Sequence, residues 1–184
     1  MTWEAVTAVG TLASALVIAI TVMLTARQLR LTTRQLDHLR RATQLEGAMA
    51  IFRDSVSPEL NASQRFIADE LPARLTDPEF RSGIELVGRA DLSMHKEIAL
   101  MRFFEVVGAY VKHGLLDGAI IFDVMLPRIT SNWEALSEIV AIQRKAITPA
   151  LWENFEFLYD EGRRWAARHK VYLGDERTGL ASPR

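Results

Sequence analysis

The chain has 184 residues, 49% hydrophobic and 24% charged, enough for one domain plus an appendage. Its formal net charge is −1, so no global field draws in nucleic acid, and nucleic acid is not an expected partner. The absence of cysteine excludes disulfides, zinc–thiolate sites, iron–sulfur clusters and cysteine nucleophiles.

The apolar residues are unevenly spread. From Ala5 to Ala26 the chain reads AVTAVGTLASALVIAITVMLTA without a charge. As a helix this run extends roughly 33 Å at 1.5 Å per residue, against about 30 Å of bilayer hydrocarbon. A helix satisfies its own backbone in lipid, so the run is expected to be a transmembrane anchor within residues 1–26. A cleaved signal peptide would want a basic leading region, whereas the chain opens Met-Thr-Trp-Glu. A buried core helix rarely goes uncharged for so long. Arg27, Arg30, Arg34, Arg40 and Arg41 follow the run, while Glu4 precedes it. That asymmetry places the N-terminus outside and the rest of the chain in the cytoplasm, with Trp3 at the outer interface. The same arginines suit anionic headgroups of the lipid bilayer. Gly10 with Ser14, and Thr11 with Ala15 and Ala19, form small-residue rows that permit close helix approach.

Residues 27–56 read as a helical stalk, with Gly47 the first helix-weakening residue. Leu29, Leu36 and Leu39 suggest one apolar seam, and Leu31, Leu45, Met49 and Phe52 another. Neither sustains a heptad, so a homo-oligomer through anchor and stalk is weakly signalled. Packing of Leu45 to Phe52 on the following domain is the favoured reading.

Residues 57–173 divide at prolines and glycines into a small helical bundle. Ser57-Pro58 opens a helix to about Leu71, with Phe66, Ile67 and Leu71 inward. Asp77-Pro78 opens the next, with Phe80, Ile84 and Val87 at helical spacing. Ser93 is read as the cap of a third, bearing Ile98, Met101, Phe104, Gly108 and Val111. After Gly114 and Gly118 a long helix runs from about Ala119 to Lys145 through Pro127, with Ile129, Trp133, Leu136 and Val140 on one side. Thr148-Pro149 is read as the start of the last helix, whose apolar residues include Trp152, Phe155, Leu158 and Trp165. Residues 174–184 are polar and expected to be a disordered tail. No segment alternates as a strand, and the fold class is all-α.

Little chemistry is signalled. His38, His95, His113 and His169 lack ligand spacing and read as surface residues. No Glu-x-x-His pair, P-loop or nucleophile elbow occurs, so no metal or cofactor is expected. Glu105 and Glu156 sit among phenylalanines, where a buried carboxylate needs a partner. Arg144 is the favoured partner of Glu105, Arg65 the second; an ion pair fixing helix register is the main reading. A ligand pocket at Glu105 and Arg144, serving a membrane-associated sensor or enzyme, is the rival.

Glu70-Leu71-Pro72, Phe103-Phe104-Glu105 through Gly108, Val111-Lys112-His113-Gly114-Leu115, Trp133, Arg144 and the run from Leu151 to Leu158 together resemble an uncharacterised bacterial family, domain of unknown function 4760. The resemblance covers roughly residues 10–160. It implies a bacterial source and a membrane helix followed by a helical domain, and it brings no activity or catalytic residue. The expected function is a non-enzymatic interaction or scaffold module on the cytoplasmic face of a membrane, binding a protein partner that the sequence does not identify.

Overall fold

The computed structural model describes residues 3–85 and 93–171, except for the side chains at positions 4–15, 17, 19 and 37. Every regular element among them is helical: α1 Trp3–Ser55, α2 Pro58–Arg65, a π-helical turn Phe66–Glu70, α3 Leu71–Arg74, α4 Pro78–Ile84, α5 Glu97–Lys112, α6 Gly118–Ala146 and α7 Glu153–His169. Two compact units divide the chain, Met1–Thr43 and Gln44–Arg184.

The first unit is the leading part of α1, where Leu29, Leu31, Leu36 and Leu39 are all exposed. Among the described residues no helix is long and apolar enough to cross a membrane. The expected span 5–26 falls largely on positions 4–15, 17 and 19, outside the described side chains. The small-residue rows lie there too, as Val87 and the tail 174–184 lie outside the described residues.

The second unit is a helical bundle. The last turns of α1, continuous through Gly47, enter its core through Ala48 and Ile51, with Phe52 packed against them. Leu45 and Met49 stay exposed, so the expected packing is made by their neighbours on the adjacent helix face. Three starts are fixed by side-chain caps, as the sequence signals. Ser57 Oγ accepts the Leu60 N–H at 3.3 Å, Asp77 Oδ1 the Glu79 N–H at 2.9 Å, and Asp117 Oδ1 the Ala119 N–H at 2.9 Å. Pro58 and Pro78 take first-turn positions, where a missing N–H costs nothing.

Between α2 and α3 the helix widens by one residue over Phe66–Glu70. Phe66, Ile67 and Leu71 are all buried, a grouping at i, i+1 and i+5 that a regular α-turn would splay apart. The centre of the bundle is aromatic. Phe104 of α5 stacks on Phe155 of α7 at 4.9 Å, and Trp133 of α6 meets Phe155 edge-on at 5.0 Å. Polar cross-ties accompany it. Gln64 and Asn132 exchange amide hydrogen bonds at 3.1 and 3.0 Å, and Arg128 donates to the Ser55 carbonyl at 3.0 Å, at the end of α1. Burial lowers the Arg128 pKa from its ordinary value.

Two expected starts are displaced. α5 begins at Glu97 rather than after Ser93, because residues 93–96 form turns that carry His95 inward. α7 begins at Glu153 rather than after Thr148-Pro149. Trp152 takes a left-handed backbone, φ 62°, and its buried indole donates to Gln143 Oε1 at 2.6 Å. Thr148 caps only the preceding turn, through the Ala150 N–H at 3.5 Å.

Candidate functional site: an apolar groove beside a buried histidine–glutamate couple

The sequence-singled carboxylate Glu105 is committed to structure. It stands on α5 opposite the first turn of α7, whose left-handed Trp152 offers no side-chain cap. Glu105 replaces that cap from another helix. Oε2 accepts the Phe155 N–H at 2.9 Å, and Oε1 accepts the Asn154 side-chain amide at 2.8 Å and its backbone N–H at 3.4 Å. A negative charge at a helix N-terminus meets unpaired donors and the positive end of the dipole. Close approach is needed, and Gly108 permits it: any side chain there would collide with the Asn154 carbonyl. Lys112, one turn further on, reaches Glu153 at 2.7 Å and Asn154 Oδ1 at 3.3 Å. The Lys112 hydrogen bond and charge hold the exposed Glu153 carboxyl below its ordinary pKa.

Arg144 does not meet Glu105. Its Nη2 donates to Glu156 at 2.8 Å and its Nε to the Leu151 carbonyl at 2.8 Å, tying α6 to the turn before α7. Glu105 needs no arginine because backbone and amide donors already fill its lone pairs. Arg65 is exposed and donates back to its own helix, to the Asn61 carbonyl at 3.4 Å. The expected Glu105–Arg144 pair is thus replaced by a trans cap and an Arg144–Glu156 bridge.

His95 corrects the surface assignment: it is 3% exposed, and Glu97 is fully buried beside it. Their i, i+2 spacing would separate them on a helix, but His95 lies in the turn before α5. His95 Nδ1 therefore lies 2.9 Å from Glu97 Oε1. Phe80 stacks on the imidazole at 4.5 Å, and a side chain at Gly83 would collide with His95 Nε2. Burial raises the Glu97 pKa, opposed by its own backbone N–H and the His95 hydrogen bond. Glu97 Oε2 has no hydrogen-bond partner. A carboxyl so placed is held protonated more readily than one in water, and the couple can share a proton without exposing either group.

His95 also closes the inner end of the largest concavity, a groove of about 930 Å³ within the second unit. That size falls within the roughly 300–1,000 Å³ of small-molecule sites. One wall is the end of α1 with α2, contributing Gly47, Ala50, Ile51 and Leu60; the other is α5, contributing Ala99, Phe103, Val106 and Tyr110. Small residues on both walls keep the helices from filling it, and Leu116 bounds the end near Gly47. Asp54 and Glu59 rim the first wall, Lys96 and Arg102 the second. Neither Glu105 nor Arg144 lines this groove. The sequence signalled it poorly, because its walls are small residues from segments far apart in the chain. A helix start at Glu97 was the one readable clue, since it puts His95 outside the helix and within reach of the carboxylate.

These features define an all-helical domain whose conspicuous charges serve its own packing and whose open feature is an apolar groove. The model of the family described as domain of unknown function (DUF4760) matches residues 6–165, and the chain belongs to that family. No curated protein and no solved structure matches it.

Proposed function

We propose that this chain is a membrane-anchored, non-enzymatic interaction module, its N-terminus outside and its helical domain at the cytoplasmic face. The uncharged run from Ala5 to Ala26, closed by Arg27 and followed by Arg30, Arg34, Arg40 and Arg41, carries the reading. The interaction half is favoured by the fate of the charged residues: Glu105, Arg144 and Glu156 are engaged with the protein itself, which leaves the rival sensor or enzyme site at Glu105 without its residues. The exposed leucines 29, 31, 36 and 39 favour self-association through the stalk.

The test is fractionation of the full chain beside a chain lacking residues 1–26. The full chain is expected to stay with membranes in alkaline carbonate and the shortened one to leave them. Protease added to intact cells is expected to spare the domain and to reach it after lysis. Extraction of the full chain by carbonate alone would sink the anchor, and cleavage in intact cells would reverse the topology.

A further inference from the structure

The geometry points to a specific occupant for the groove between α1, α2 and α5: a single-chain amphiphile whose head carries both an anion and a cation, as a lysophospholipid does. The inference rests on the membrane-tethered reading only for the source of such a ligand. The site itself is argued from the second unit alone.

The floor suits an alkyl chain. Ile51, Leu60, Phe103, Val106 and Leu116 present apolar surface along the trough, and burying such surface yields about 0.8 kcal/mol per methylene. The rim sets the head. Asp54 and Glu59 stand on one wall, Lys96 and Arg102 on the other, and all four are exposed. Among the described residues Glu59, Lys96 and Arg102 form no ion pair, and Asp54 meets only its neighbour Arg53, at 3.6 Å. Lys96 instead lies 5.8 Å from the Phe66 ring centroid. The opposed rims therefore do not neutralise each other across the trough. A fatty acid would satisfy Lys96 and Arg102 but meet repulsion from Asp54 and Glu59. An uncharged chain would leave all four charges unmatched. A phosphate beside a quaternary or primary ammonium answers both walls at once.

The experiment uses the full chain in its native membranes. The probe is lysophosphatidylcholine with a diazirine in its acyl chain, beside a diazirine fatty acid of equal length; labelled peptides are mapped by mass spectrometry. The lysophospholipid is expected to label peptides covering residues 47–63 and 96–116, more strongly than the fatty acid does, and unlabelled dodecylphosphocholine is expected to compete. Reversing one rim with Lys96→Glu and Arg102→Glu together is expected to cut groove labelling roughly tenfold or more, while labelling of residues 5–26 is unchanged. Val106→Trp, which fills the trough without touching the rim, is expected to abolish groove labelling with the helical circular dichroism retained. Absence of groove labelling, equal labelling by the fatty acid, or indifference to the rim reversal would each overturn the proposal. Failure of the membrane reading is separately visible, as loss of label from residues 5–26 and release of the chain by carbonate.

Discussion

Glu105 of α5 caps the N-terminus of α7, accepting the Phe155 backbone N–H at 2.9 Å. Most helix caps are local, supplied a residue or two upstream. Here Trp152 occupies that place in a left-handed conformation and the capping oxygen comes from a different helix. The arrangement turns a helix start into a tertiary contact, so α7 is properly begun only when α5 is beside it.

Removing the cap is expected to destabilise the bundle. Glu105→Ala should cost about 1–3 kcal/mol, the loss of hydrogen bonds made by a charged acceptor. Glu105→Gln keeps one carbonyl acceptor and should cost less than the alanine. Chemical denaturation of the two variants beside the parent chain checks the order; equal stability of all three would show the cap to be energetically idle.

Two glycines test steric against conformational roles. Gly108→Ala drives a methyl group into the Asn154 carbonyl, where α5 and α7 touch, and should cost about 1–3 kcal/mol through overpacking. Gly114 has φ 67° but open space around its Cα. Gly114→Ala should therefore cost only about 1 kcal/mol, from backbone strain. Thermal melts that rank Gly114→Ala as the worse of the two would contradict the close approach of α5 and α7.

The buried carboxyl of Glu97 predicts a pH dependence. Its folded pKa lies above the ordinary 4.5, so between 4.5 and that raised value the folded chain binds more protons than the unfolded one. Stability from this group is present in full below 4.5 and is lost as pH rises through the folded value. Glu97→Gln, which cannot ionise, should be more stable than the parent at neutral pH, with the difference shrinking as pH falls through the carboxyl range. His95 is the nearest titratable neighbour, and the comparison is best repeated in a His95→Gln background. Melting temperatures measured from pH 4 upward give the sign; a variant less stable than the parent at neutral pH would mean that ionised Glu97 is stabilising.

The Arg144–Glu156 bridge is half-open to solvent, with side-chain exposures of 23% and 44%. A double-mutant cycle with Arg144→Ala and Glu156→Ala should give a coupling of about 1 kcal/mol or less. Arg144→Ala alone should cost more than Glu156→Ala, because Arg144 also holds the Leu151 carbonyl and lies 6.0 Å from the Trp133 ring centroid.

What the sequence revealed and what it hid divides along one line. Side-chain caps adjacent to proline, Ser57-Pro58 and Asp77-Pro78, are local chemistry, and both helices begin where the pattern puts them. The inward faces of α5 and α6 follow from 3.6-residue periodicity; Ile98, Met101, Phe104, Ile129 and Leu136 are all buried. Glu105 was recognisable as a carboxylate in need of partners. The partners themselves were not, because backbone N–H groups exist at every residue and only the fold decides which are unpaired. Thr148-Pro149 carries the same local signal as Ser57-Pro58, yet the helix waits for Glu153 because burial of the Trp152 indole overrides it. The His95–Glu97 couple and the groove depend on tertiary placement, and nothing in the spacing of their residues marks them.

The widened turn at Phe66–Glu70 carries a consequence for how this fold varies in length. A π-turn is a regular helix holding one supernumerary residue, and each residue of an α-helix advances the face by about 100°. Deleting one residue there closes the backbone ladder neatly, yet swings Leu71 and the approach to Asp77 a quarter-turn or more off the core. The chain is thus locally tolerant of a shorter spelling and globally intolerant of it. Compatible family members of different length are expected to place their gaps elsewhere, or to move the apolar residue at 71 in step with the deletion.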